Sequence, residues 1–145
     1  MLVKHILSNK GRDIIAISRD ARLADAVALL ADKRIGAVIV QGAKGVLTGI
    51  LSERDVIRAL SQDEKGALAH PVSTYMTAEV ATCTEDDTVE DLMEMMTHGR
   101  FRHVPVLDEK GRLCGLISIG DVVKTRIAET VHEAQSLREY ISATG

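Results

Sequence analysis

At 145 residues the chain is one compact domain or two small halves sharing a core, and 46% hydrophobic content suffices to build that core. A net charge of −3, with one Phe, two Tyr and no Trp, argues against a nucleic-acid module that depends on a basic field or aromatic platforms. No apolar run reaches the ~18 residues of a membrane span, and Met1–Leu7 has no long apolar signal core. A soluble, cytoplasmic protein with no membrane or nucleic-acid partner is expected.

In chain order, Val3, Ile6 and Leu7 suit one helical turn in a lead-in that ends at Asn9-Lys10-Gly11. Ile14–Ile17 is a β-branched strand with Ser18 at its end. Leu23, Ala26, Val27, Leu30 and Ala31 fall at helical spacing, which predicts a helix over Arg22–Lys33. Ala37–Val40 is an apolar run of strand length, expected to be buried on both faces. Gly42–Gly45 connects it to a partner strand, Val46–Leu51. Ser52 then opens a helix over Glu53–Leu60.

Polar Ser61–His70 is expected to be a mobile linker, and Val72–Met76 a helical turn. The order then repeats: strand Val80–Cys83, a helix carrying Val89, Leu92, Met93 and Met96, strand His103–Leu107, a turn at Asp108–Gly111, strand Arg112–Ile117. A last helix starts at Ser118 and is expected to reach about Ser142. The predicted fold is α+β, built from two β-α-β-β-α units. The expected division is 1–62, a linker at 63–71, a second unit at 72–130 and a helical extension at 131–145.

The repeat is measurable. Laying residue n on residue n + 66 aligns 23–58 with 89–124 without a gap, and 11 of the 36 pairs are identical. Among them are Gly49/Gly115, Ser52/Ser118 and Asp55/Asp121, which share the frame Gly, two apolar residues, Ser, two variable residues, Asp. Each serine sits where a helix N-cap belongs, and each aspartate lies in the first turn, where the helix dipole favours a negative charge. A duplicated unit of this length exposes one sheet face alone, and pairing two copies buries both.

The order of elements, the two copies and this frame, with His103-Val104-Pro105-Val106 and Tyr75-Met76-Thr77, resemble a tandem pair of cystathionine β-synthase (CBS) domains, a Bateman module. The resemblance covers roughly residues 3–130. It implies pseudo-two-fold packing of the repeats, a homodimer of such pairs, and an adenine nucleotide in each of two inter-repeat clefts. AMP is the first choice, with ADP, ATP or NAD(H) as further possibilities; the protein effector is unknown.

The residues suit such a ligand. Asp55 and Asp121 can accept from both ribose hydroxyls. Ser52 and Ser118, at helix starts, suit phosphate, and Ser18 and Thr84 add hydroxyls. The strand starts Ile35-Gly36-Ala37-Val38 and Arg102-His103-Val104-Pro105 offer backbone groups to the base. The resemblance implies one cleft that joins Ser52 and Asp55 to Thr84, Arg100, Arg102 and His103. The other joins Ser118 and Asp121 to Ser18, Gly36, Ala37 and Val38. The Asp55 cleft is expected to be the more basic, with Arg54 a further cation in reach of a phosphate and Glu53 opposing one. The bland reading makes both aspartates plain caps. Cys83 and Cys114 fit small buried hydrophobes. The five histidines show no metal-ligand spacing, and no P-loop or nucleophile elbow is present, so no metal and no catalysis are expected. The alternative function is a ligand-free dimerisation scaffold.

Overall fold

Two β-α-β-β-α runs follow one another, each after a short apolar lead-in. The computed structural model describes residues 1–144. The elements are α1 (Val3–Lys10), β1 (Ala16–Ser18), α2 (Leu23–Lys33), β2 (Ala37–Gln41), β3 (Leu47–Ser52) and α3 (Glu53–Gln62). They continue as β4 (Cys83–Thr84), α4 (Val89–Gly99), β5 (His103–Leu107), β6 (Leu113–Ser118) and α5 (Ile119–Thr144). The fold is α+β, with two three-stranded sheets ordered β1-β2-β3 and β4-β5-β6.

The first strand of each sheet is parallel to the second, and the second is antiparallel to the third. Register repeats with the sequence: Ala37 faces Ser52 and Val40 faces Gly49, while His103 faces Ser118 and Val106 faces Gly115. Both hairpins carry an irregularity at the same place, after Val40 and after Val106. The preceding helices also end alike, on Arg34 and Arg100 in the left-handed conformation (φ 55° and 57°). Ala37–Val40 is buried throughout, as its unbroken apolar run requires.

Compactness divides the chain differently from the sequence repeat. One unit is Asp13–Ala81; the other is Met1–Arg12 together with the chain from Thr82 on. The lead-in therefore joins the second repeat, not the first. Val3, Ile6 and Leu7 are buried in one core with Val89, Leu92, Val104, Val106 and Ile117. Backbone bonds fix this placement: Val3 N donates to Asp87 O at 2.9 Å, and Val89 N to Met1 O at 3.0 Å.

The segment after α3 plays the matching part in the other unit. Val72 N donates to Ala21 O (2.7 Å), Leu23 N to His70 O (2.9 Å), and Val72 lies in the core of Leu23, Leu30, Val38, Val40 and Leu51. Ser61–His70, expected to be a linker, completes α3 and continues as a turn and a short 3-10 helix, Ala67–Ala69. Asp63 Oδ1 accepts from Gly66 N at 2.9 Å, and Ala67 is fully buried. The polar residues of this stretch point outward around one small apolar anchor. The strand expected at 80–83 is only Cys83–Thr84, a short edge paired with β5 alone.

Candidate functional site

The two Ser-x-x-Asp frames fold as near copies. Ser52 Oγ accepts from Asp55 N (3.3 Å), while Asp55 Oδ2 accepts from Ser52 N (2.9 Å) and Ser52 Oγ (3.1 Å). In the second frame the same three bonds measure 3.2, 2.8 and 3.0 Å. Each is a reciprocal capping box that satisfies two orphan amides of its helix. A third amide is also engaged: Glu53 N donates to Gly36 O (3.0 Å), and Ile119 N to Arg102 O (2.8 Å). Gly36 and Arg102 thus hold the strand start against the helix start with their carbonyls.

The glycine of each frame makes room for the lead-in. A Cβ on Gly49 would lie 2.7 Å from Thr77 O and 2.8 Å from Met76 Sδ. A Cβ on Gly115 would lie 2.6 Å from Leu7 Cδ2. The same close approach brings a residue from the lead-in onto each aspartate, and here the copies diverge.

Asp121 Oδ2 accepts from Lys10 Nζ at 2.6 Å, and Lys10 also donates to Leu116 O at 2.8 Å. Burial pushes the Asp121 carboxyl up. The hydrogen bonds from Lys10 and Ser118, with the lysine charge, outweigh that and hold it below the usual carboxylate range. Asp55 instead receives the neutral hydroxyl of Thr77, 3.3 Å from Oδ1, and sits 3.8 Å from the exposed Arg58 guanidinium. Asp55 is only 6% exposed, against 21% for the Asp121 side chain. Neither Lys10 nor Thr77 was singled out from sequence as a site residue. Lys10 lies 111 positions from Asp121, so no local pattern connects them.

The other expected site residues fall in two groups. His103 is half-buried and faces Ser118 in register, beside exposed Arg102 and ahead of buried Val104 and Pro105. Half-buried Ile35 and Gly36 lead into buried Ala37 and Val38, beside Ser52. These lie at the frame end of their sheets. Arg54 is exposed on the first turn of α3, and Arg100 is the exposed residue that ends α4.

Ser18 and Thr84 lie at the wrong end. Because β1 is parallel to β2, Ser18 pairs with Gln41, four residues beyond Ala37. Thr84 likewise pairs with Leu107, four residues beyond His103. At about 3.3 Å per residue each is roughly 13 Å from its frame end. The expected groupings of Thr84 with Arg102 and His103, and of Ser18 with Gly36–Val38, are therefore corrected. Thr84 lines a different cavity, of about 690 Å³, shared with Lys4, Arg12, Glu85, Asp108 and Arg112. Two ion pairs lie in its lining, Arg12 with Glu85 and Arg112 with Asp108 at 3.2 Å. Beside Asp55, a cavity of about 190 Å³ is lined by Arg58, Gln62, Thr74 and Tyr75. That is below the usual size of a pocket for a small ligand.

A duplicated α+β unit with a serine–aspartate cap at each sheet end defines the class. The CBS domain model matches residues 3–62 and again 72–128, and the chain belongs to that family. A solved CBS-domain-containing protein from Agrobacterium tumefaciens is similar over 86% of this chain and 92% of its own, at 47% identity and a TM-score of 0.83. A CBS domain protein from Pyrobaculum aerophilum, complexed with AMP, is similar at 25% identity and a TM-score of 0.75, covering 83% of this chain and 89% of its own. The CBS domain pair of protein MJ0100, in complex with 5′-methylthioadenosine and S-adenosyl-L-methionine, matches at 25% identity and a TM-score of 0.79. It covers 89% of this chain and 98% of its own. Among the described residues no helix is long and apolar enough to cross a membrane.

Proposed function

We propose that this chain is a regulatory sensor module, not an enzyme, that binds AMP or a related adenosyl ligand (ADP, ATP or NAD(H)) at its Ser-x-x-Asp frames. The observation that carries this reading is the duplicated frame itself, reproduced to within about 0.1 Å in its three internal bonds. Similar CBS pairs complexed with AMP and with adenosyl thioethers support the ligand class.

A carboxylate has acceptor capacity on both oxygens. The bonds to Asp121 converge on Oδ2, and its other oxygen suits a ribose hydroxyl. Asp55 is more buried, with Thr77 on Oδ1. The Asp121 frame is therefore the better ribose acceptor, and the asymmetry expected from the arginines is offset by Lys10. The signal is a change in what the module contacts, which a ligand drives only by binding one arrangement better than another. The working form is a homodimer in the cytoplasm, acting on an unidentified protein effector.

A thermal-shift panel of AMP, ATP, NAD and S-adenosylmethionine tests the reading. Binding to the native state raises the midpoint by mass action; no shift from any of them at millimolar concentration rejects it. The rival scaffold reading draws on the exposed apolar residues Ile57, Val123, Ile127 and Val131 of α3 and α5. It predicts a stable dimer that no adenosyl ligand stabilises.

A further inference from the structure

We propose that Lys10 sets the charge preference of the Ser118–Asp121 frame, selecting an adenosyl ligand that carries a phosphate over the neutral nucleoside. This rests on the adenosyl reading above and adds a specificity determinant to it.

The position of Lys10 is built into the fold. It is the last residue of α1, whose Val3, Ile6 and Leu7 are buried in the core of this unit. Gly115 lets Leu7 approach β6 more closely than any side chain there would allow. The helix end then delivers the ammonium to Asp121 Oδ2 and Leu116 O, at 2.6 and 2.8 Å.

The chemistry follows from that placement. A ribose hydroxyl on the other oxygen of Asp121 shares the carboxylate charge with Lys10, which stays on Oδ2. A neutral nucleoside offers the ammonium no second anionic partner. A phosphate on the same ligand gives it a new anionic partner, within reach of a flexible four-carbon stem. Without Lys10, the Asp121 charge would oppose that phosphate. In the other copy the corresponding contact comes from Thr77, a neutral hydroxyl, and the nearest cation is the exposed Arg58, 3.8 Å from Asp55 Oδ1.

The test is calorimetric titration of the full chain with AMP and with adenosine, in wild type, Lys10→Met and Lys10→Arg. Lys10→Met is expected to weaken AMP roughly tenfold, the loss of one charge-assisted contact, and to leave adenosine unchanged or tighter. Lys10→Arg is expected to restore most of the preference for AMP. Equal changes for the two ligands, or none for either, overturn the proposal while leaving the adenosyl reading intact. Absence of binding of both ligands to wild type overturns the proposal, and the adenosyl reading falls with it when ATP, NAD and S-adenosylmethionine also fail to bind. Should Lys10→Met fail to fold, the wild-type protein decides: AMP must weaken with added salt more steeply than adenosine, and parallel salt dependence overturns the proposal.

Discussion

Asp121 keeps its charge because Lys10 and Ser118 donate to it, and that has a pH consequence. Its folded-state pKa is depressed, so its contribution to stability is present above the ordinary carboxylate range, near pH 4, and is lost as pH falls below that. Urea unfolding of wild type and Asp121→Asn should differ at pH 7, and the gap should narrow below pH 4. A gap independent of pH would contradict the ion-pair account. Cys83 makes the opposite point: burial, then the nearby Asp87 charge, pushes its thiol up to about 12. Its alkylation at pH 8 should be at least about a hundredfold slower in the native protein than in urea, and comparable rates would show that the Cys83 site opens. At this scale the Ser–Asp caps were legible, because both partners lie within one helical turn. Lys10 and Thr77 were not, because the lead-ins carry them to carboxylates 111 and 22 residues away.

At the scale of elements, the glycines of the two frames do the same job against different neighbours. Gly49→Ala meets a backbone oxygen, Thr77 O, which is itself bonded to Ile50 N at 3.0 Å. Gly115→Ala meets the end of the Leu7 side chain and no backbone atom among its nearest neighbours. Thermal or urea unfolding should therefore show a cost of about 1–3 kcal/mol for Gly49→Ala, the scale of overpacking, and a smaller one for Gly115→Ala. The reverse order would mean that the lead-ins do not hold their strands as described. Helices and hairpins were readable from apolar spacing, and β5 was placed to the residue. The edge strands were harder, since two or three residues leave little period to detect. The misplacement of Ser18 and Thr84 has the same origin. A strand end looks alike in sequence whichever way the strand runs, and only parallel pairing to β2 and β5 sends these hydroxyls away from the frames.

For the whole molecule, the 66-residue offset exposed the duplication and, with it, the family. It did not expose which lead-in belongs to which compact unit, because apolar residues such as Val3 and Val72 suit either core. Helix α5 has 26 residues, about 39 Å at 1.5 Å per residue. Ile127 and Val131 on it are 61% and 50% exposed. The proposed homodimer, if a second copy covers these residues, should appear as a dimer mass by light scattering that Ile127→Glu with Val131→Glu shifts to monomer with the fold retained; an unchanged mass would place the interface elsewhere.

The central claim is that the Ser118–Asp121 frame receives the ribose of an adenosyl ligand. Titration of AMP into wild type and Asp121→Asn by calorimetry tests it most directly. The account predicts saturable binding to wild type and a loss of at least about tenfold in the variant, with the fold intact by circular dichroism. Undiminished AMP binding to a folded Asp121→Asn protein would contradict it.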